Sequence, residues 1–316
     1  VRAAIFHAPG DVRIEEVEQP DPAPGEVLIR VDASLTCATD AKAYRRGHPV
    51  LLGPAPARFG HEYAGTVIAA GAGARFSPGD RVAGANSAPC DRCEACLRGQ
   101  EPLCENLFPL LNGAYAEQLL IPERIAAINL HHLPDGVAPE LGALCEPLAC
   151  ALHGVEASDA QAGETVAVLG RGALGLLLAA ALAARGCAVT ALTSSDPDPH
   201  GRFDRVIEAA GSAEAWTRAV GLVRAGGTVV LFGGLPAGTA VAFDAYRLHY
   251  EAITLRGVFH HAPRHVRAAI DLVTRDPAPY RALLTHAYTL DEVVVPLEMT
   301  AGIRPRAGIL KAVIRA

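Results

Sequence analysis

Hydrophobic positions follow two different patterns along this chain. Up to about residue 130, short apolar–polar alternations are cut by Pro, Gly and Asp. They are Ala3–Phe6, Val12–Val17, Glu26–Val31, Ala64–Ala70, a turn at Pro78-Gly79-Asp80 into Arg81-Val82, and Tyr115–Ile121. Alternation of this kind predicts antiparallel strands with one buried face. Glu140–Leu152 then predicts a helix. From Thr165 the pattern changes. Thr165–Leu169 is continuously apolar, as strands covered on both faces are, and leads through a glycine turn into a helix ending at Arg185-Gly186. Ala188–Leu192, Arg205–Gly211, Gly227–Gly233 and Ala252–Gly257 follow as further strands, the last three set apart by helix-length stretches. From about Pro263 a helix and then strands, ending in Ile309–Ile314, return to the first pattern. The fold class is therefore α/β plus β. An α/β domain over 148–262 is inserted into a β-rich domain built from 1–147 and 263–316.

One spacing departs from a regular α/β unit. Ten residues separate Leu192 from Phe203, too few for a helix and a parallel strand. One outer strand and its helix are expected to be missing.

Composition narrows the class. The 316 residues are 50% hydrophobic and 20% charged, which excludes overall disorder. A net charge of -6 with no basic run argues against nucleic acid. The apolar stretch Leu174–Ala184 is too short to cross a bilayer, and the chain starts in a strand pattern without a signal-type segment. A soluble, cytoplasmic protein is expected. With 31 Gly and one Trp, the core must be built largely from Ala, Val and Leu.

Eight cysteines change the picture more. Cys90, Cys93, Cys96 and Cys104 form C-x2-C-x2-C-x7-C, a density that suits a closed tetrahedral zinc of structural type. A four-iron cluster or two disulfides are the competing readings. The first would need a redox partner that nothing else here suggests, and the second an oxidising compartment. Cys187, after Gly186, reads as a small buried hydrophobe. Cys37 lies where an apolar run becomes polar, in Leu35-Thr36-Cys37-Ala38-Thr39-Asp40. Downstream come Gly60-His61-Glu62 and Leu144-Cys145-Glu146-Pro147-Leu148. A thiolate, an imidazole and a carboxylate are the ligand types of a catalytic zinc with one open position. Near residue 146 the spacing permits Cys145, Glu146 or Cys150 as the third ligand, and thiolate is the better donor for zinc.

Gly170-x-Gly172-x-x-Gly175 joins a predicted strand to a predicted helix, the context that makes this motif a dinucleotide site. Its glycines allow a tight turn, close approach of a pyrophosphate, and close helix–strand packing. The phosphates would meet unpaired N–H groups at the helix start, around Ala173 and Leu174. The strand ends at Phe232-Gly233 and Val258-Phe259 are candidates to seat a nicotinamide.

Together these motifs resemble the zinc-containing medium-chain dehydrogenase/reductase family, the alcohol and polyol dehydrogenases. The resemblance spans nearly the whole chain. It rests on Cys37 with Thr39-Asp40, Gly60-His61-Glu62 with Gly65 and Gly71, Gly79-Asp80-Arg81-Val82, the four-cysteine loop, Glu146-Pro147-Leu148 and the motif at Gly170. It implies a GroES-like catalytic domain and a Rossmann domain, with one catalytic and one structural zinc. Cys37, His61 and Glu146 resemble the catalytic zinc ligands, and Glu62 the neighbouring carboxylate. Thr39 resembles the hydroxyl that bonds the substrate oxygen, and Asp40 the residue that orients the imidazole. The implied reaction is hydride transfer between a secondary alcohol or polyol, or its carbonyl counterpart, and NAD(P). A zinc-free quinone or enoyl reductase of the same fold and a non-catalytic NAD(P)-binding regulator are the alternatives.

Departures from the family pattern carry their own expectations. Ala38 stands where many members have glycine, and Lys42 where many have a proton-relaying histidine. Selection for NAD uses an acid at the end of the second strand; here Thr193, Ser194 and Ser195 precede Asp196. Small hydroxyls leave room for a 2′-phosphate, which Arg202 or Arg171 would pair, so NADP is favoured over NAD. With the outer strand lost, the sheet order 3-2-1-4-5-6 becomes 2-1-4-5-6. The 193–202 loop, with Pro197 and Pro199, should cover the edge so exposed. The other edge, 252–257, is expected to pair with a second copy in a homodimer, with a tetramer left open.

Overall fold

A computed structural model of the chain describes residues 1–18, 21–199 and 201–316. Two compact units divide it: Val1–Glu146 with Ala262–Ala316, and Pro147–His261.

The first unit is β-rich. Its main sheet runs in the order Leu284–Thr289, Lys311–Arg315, Val27–Leu35, Glu62–Ala70, Arg81–Gly84, Leu130–His132, and Gln118–Ile121 also pairs with Val27–Leu35. Alternation sets the faces. Val27, Ile29 and Val31 point into a core with Tyr63, Val67, Val82 and Leu119, while Arg30 ion-pairs with Asp32 at 2.8 Å outside it. A smaller antiparallel sheet joins Asp11–Glu16, Arg2–Ala8 and Ala57–Arg58. The C-terminal strand lies in the interior of the main sheet. Val313 pairs with Leu35, and Leu35 in turn with Glu62. That register brings residues near both ends of the chain onto one patch of sheet.

Several expected elements differ in detail. Only Gln118–Ile121 of the Tyr115–Ile121 run is strand, because Ala116 instead bridges to Ala3 and the Tyr115 carbonyl accepts from the Ala4 N–H at 2.8 Å. The helix expected over Glu140–Leu152 is two, Pro139–Ala143 and Cys145–Ser158, interrupted at Leu144. Pro147 falls in the first turn of the second, where a missing N–H leaves no helical bond unmade. A helix not anticipated from periodicity, Ala38–Arg46, follows directly on the strand Val27–Leu35.

The second unit is a five-stranded, all-parallel sheet in the order Ala188–Leu192, Thr165–Leu169, Phe203–Glu208, Val223–Leu231, Thr254–Gly257. This is the Rossmann-type arrangement without its third strand. Ala167, Leu169, Val206, Val220, Leu222 and Val229 fill its core. In the segment replacing the lost strand and helix, Arg218 binds the carbonyls of Thr193 (2.5 Å) and Asp196 (2.7 Å) and the carboxylate of Asp198 (2.6 Å). One arginine thus does what a strand ladder would have done. Among the described residues no helix is long and apolar enough to cross a membrane.

Candidate active site

Three of the expected zinc-site residues meet on the sheet patch set by the C-terminal strand. Cys37 caps the helix Ala38–Arg46, its sulfur accepting from the Thr39 N–H at 3.4 Å. His61 directly precedes the strand Glu62–Ala70. One donor atom from each of Cys37, His61 and Glu62 lies within 4.8 Å of the others. Behind His61 stands a buried chain of bonds. Its Nδ1 pairs with Asp40 Oδ1 at 2.8 Å, and Asp40 Oδ2 accepts from the Tyr115 hydroxyl at 2.6 Å. Nδ1 being engaged, Nε2 is the nitrogen left for a metal, the usual arrangement of a metal-binding histidine.

Two residues of this network escaped the sequence reading. Tyr115 is one. Lys311 is the other, a buried ammonium donating to both oxygens of buried Glu62. Tyr115 sits in an apolar alternation and Lys311 in Ile309-Leu310-Lys311-Ala312, so neither carries a local signal. Sheet order places the Lys311 strand two strands from Glu62, with Val27–Leu35 between them, and the side chains meet across that gap. Burial opposes the Lys311 charge, but Glu62 and Cys37 hold its pKa above the usual lysine value. Burial would also push the Cys37 thiol up; the Lys311 ammonium and the His61 imidazole outweigh it and bring the thiol down to about 7. A low-pKa thiol, an imidazole fixed by a carboxylate, and a second carboxylate fit zinc.

Glu146 is 5% exposed, in the first turn of Cys145–Ser158, and its charge acts on Glu62 and Lys311. It is not in the Cys37–His61–Glu62 group. Cys145 is fully buried and its thiol is pushed far up by burial, so it is the poorest donor of the three candidates near 146. Thr39 is half-buried, and Lys42 is exposed on the same helix.

The cysteine loop is a separate assembly. One sulfur from each of Cys90, Cys93, Cys96 and Cys104 falls within 4.8 Å of all the others, with Cys93 at 3.5 Å from Cys96 and 3.9 Å from Cys104. Zinc–sulfur bonds of about 2.3 Å in a tetrahedron put sulfurs about 3.8 Å apart. All four are free thiols, and these separations are far beyond a disulfide bond, which removes that alternative. The Cys104 sulfur accepts from the Cys90 and Asn106 N–H groups at 3.3 Å each.

The Rossmann unit carries the other half of the chemistry. Gly170 turns the chain at φ 114, and Gly172 caps the helix Ala173–Ala184. A Cβ on Gly175 would lie 1.8 Å from the Gly170 carbonyl oxygen, so only glycine fits. A Cβ on Gly172 would meet nothing, which leaves the helix start open where phosphates bind. The strand ends are held by two more residues without a sequence signal. Glu208 accepts from the N–H groups of Ala210 (2.7 Å) and Gly211 (2.6 Å), and Trp216 donates to the Gly233 carbonyl at 2.9 Å. Phe232 lies half-buried beside Gly233, while Val258 and the exposed Phe259 follow the edge strand. At the expected ribose end, the Thr193 N–H and hydroxyl both donate to Asp196, at 2.6 and 2.8 Å. Ser194 and Arg202 are exposed there.

A β-rich unit with two sulfur-bearing donor sets, and a glycine-turn dinucleotide unit, define a zinc-type nicotinamide-linked oxidoreductase. Comparison with known proteins agrees. The alcohol dehydrogenase GroES-like domain family matches residues 23–135, and the zinc-binding dehydrogenase family residues 198–275. An L-threonine 3-dehydrogenase of Deinococcus radiodurans is 29% identical over 82% of this chain and 83% of its own. A sorbitol dehydrogenase of Bacillus subtilis is 27% identical over 94% and 93%. An NADP-bound structure from Sinorhizobium meliloti superposes with a TM-score of 0.87 at 30% identity, covering 100% of this chain and 99% of that one. Alcohol dehydrogenase TADH from Thermus sp. ATN1 does so with 0.87 at 26%, covering 100% of both. The chain belongs to the zinc-type medium-chain alcohol and polyol dehydrogenase superfamily. It is an NAD(P)-dependent oxidoreductase of small alcohol or carbonyl substrates, which sets aside the non-catalytic alternative.

Proposed function

We propose that the enzyme interconverts a secondary alcohol or polyol and its ketone or aldehyde, with NADP as the preferred cofactor. The observation that carries this reading is the group of half-buried Cys37 with buried His61 and Glu62, braced by Asp40, Tyr115 and Lys311. In this reading Cys37, His61 and Glu146 hold a catalytic zinc, and Cys90, Cys93, Cys96 and Cys104 a structural one. Bound zinc supplies Lewis acidity toward the substrate oxygen, and the nicotinamide supplies a hydride acceptor. The protein's own part is to orient and to move a proton. Asp40 holds the His61 ring in one tautomer. Thr39, two residues past Cys37, accepts the substrate hydroxyl's proton in a hydrogen bond and passes its own toward solvent. Glu62, tied to Lys311, supplies the neighbouring negative charge.

Gly170, Gly172, Ala173, Leu174 and Gly175 take the pyrophosphate, and Phe232, Gly233, Val258 and Phe259 the nicotinamide. Thr193, Ser194 and Arg202 take the adenosine end. Two features support NADP. Arg171 lies close enough to Asp196 to help lower that carboxyl's pKa, after the bonds from Thr193, so cationic charge gathers there. The Sinorhizobium relative was solved with NADP. The sorbitol and threonine dehydrogenases among the relatives support a hydroxyl-bearing carbon as the reacting centre. Residues 1–147 with 263–316 form the catalytic domain in this reading, and 148–262 the cofactor domain. The edge strand Thr254–Gly257 is largely exposed and offers unpaired backbone to a second copy, which supports a homodimer. A panel of polyols and secondary alcohols, followed by reduced-nicotinamide absorbance with NAD and with NADP, tests the reading. Turnover of a secondary hydroxyl with the higher kcat/KM on NADP is expected; turnover of primary alcohols alone, or of none, overturns it.

A further inference from the structure

We propose a third transition-metal site, in the Rossmann unit, formed by Cys150, His260 and His261. None of these three belongs to the two zinc sets above, and Glu146, a proposed ligand of the catalytic zinc, offers a carboxylate oxygen within 4.8 Å of their donor atoms. Cys150 stands on the helix Cys145–Ser158, one turn after Glu146. The two histidines occupy the loop between the strand Thr254–Gly257 and the helix Pro263–Arg275. A sulfur and two imidazole nitrogens, one atom from each residue, lie within 4.8 Å of one another.

Three features make this more than a chance gathering. His260 holds φ at 58°, in the left-handed region, which costs a non-glycine residue about 1 kcal/mol. Its carbonyl is anchored to His153 Nδ1 at 2.9 Å, so the backbone is locked in that conformation. The consequence is geometric: the rings of two successive residues, which an extended chain would send to opposite sides, stack with centroids 4.0 Å apart and planes 30° apart. The His261 imidazole is also taken into the interior, at 3% exposure, while Cys150 and His260 remain half-open to arriving ions.

Ligand chemistry selects the ion. One thiolate with two imidazoles favours zinc and similar borderline or soft cations over magnesium or calcium. Zinc bonds of about 2.0–2.3 Å require donors about 3.3–3.8 Å apart. The donors here lie within 4.8 Å of one another, at most about 1.5 Å beyond that spacing. Three protein ligands leave a fourth position, for which water competes with the Glu146 carboxylate.

The test is zinc stoichiometry. Chain stripped with a chelator, reloaded in excess zinc and desalted should carry three zinc ions per chain by elemental analysis. Cys150→Ala and His261→Asn should each carry two, with melting profiles close to the parent. Zinc should also protect Cys150 from alkylation, read by peptide mass, in a Cys37→Ala background. A parent with two ions, unchanged by either substitution, together with zinc-independent alkylation of Cys150, overturns the proposal. The outcome is separable from the catalytic reading. Loss of one ion in Cys150→Ala with none lost in Cys37→Ala supports this site and refutes the other; the reverse pattern refutes this site alone.

Discussion

The cysteine loop and the Cys37 group are both donor sets in the same unit, yet they are assembled in opposite ways. The loop gathers four sulfurs from Cys90 to Cys104, without help from distant residues. All four of its cysteines are bound up with backbone N–H groups or with each other, and Leu97 and Leu103 remain exposed beside them. The Cys37 group instead draws half-buried Cys37 together with buried Asp40, His61, Glu62, Tyr115 and Lys311 through the sheet. A local set with every donor a thiolate suits a closed tetrahedral ion, which would stabilise a loop that has little core. A long-range set with mixed donors keeps its charges in balance inside the protein, where an unpaired charge is costly. On the proposed reading, the first site would depend on its metal for fold, and the second on its fold for chemistry.

That contrast can be broken most directly at Cys37. Cys37→Ala should lower kcat/KM by about a thousandfold or more, the scale of several kcal/mol of lost electrostatic stabilisation, while melting shifts little. Equal losses of activity and melting temperature would collapse the distinction. Cys93→Ala should do the reverse. Loss of the loop's ion is expected to cost about 3–5 kcal/mol, lowering the melting temperature by about 10 °C, with activity retained well below it. Calorimetry alongside initial rates checks both variants.

Lys311→Met sharpens the claim that the second set is held by charge balance. It leaves the Glu62 carboxylate buried without its cation, at an expected cost of about 3 kcal/mol in denaturant unfolding. Adding Glu62→Gln should recover most of that loss, and an additive double variant would refute the coupling.

The smallest effect is a control remote from both sets. His131, on the strand Leu130–His132, has its pKa lowered to about 4, first by burial and then by the charges of Arg75 and Arg267. Below the ordinary value of about 6.5 the unfolded chain binds the extra proton and the folded chain does not. The contribution is therefore complete above pH 6.5 and is lost as pH falls toward 4. About 1–2 kcal/mol of stability should disappear over that window, and His131→Phe should flatten it, as unfolding curves at pH 4.5 and 7 will report.

Local information determined a large part of this protein. The alternating runs, the continuous Thr165–Leu169 strand, the glycine turn at Gly170 and the ten-residue gap after Leu192 were all legible, and with them the five-stranded parallel sheet and its order. The cysteine loop was equally legible because all its donors lie within one short segment. In each case the deciding interaction links residues near one another in sequence, so spacing is a fair proxy for geometry.

Tertiary structure decided the rest. Glu62 was visible from its motif, but its cation was not: Lys311 is 249 residues away and reaches it only because the C-terminal strand enters the sheet beside Val27–Leu35. Tyr115 left its predicted strand to bond Asp40, Glu208 and Trp216 fastened the strand ends, and Arg218 replaced a missing ladder. His260 and His261 were ordinary loop residues until a left-handed turn stacked them near Cys150. Periodicity records which face of an element is buried. It carries no record of which distant polar partner satisfies a buried charge, because that pairing is set by strand register across the whole chain.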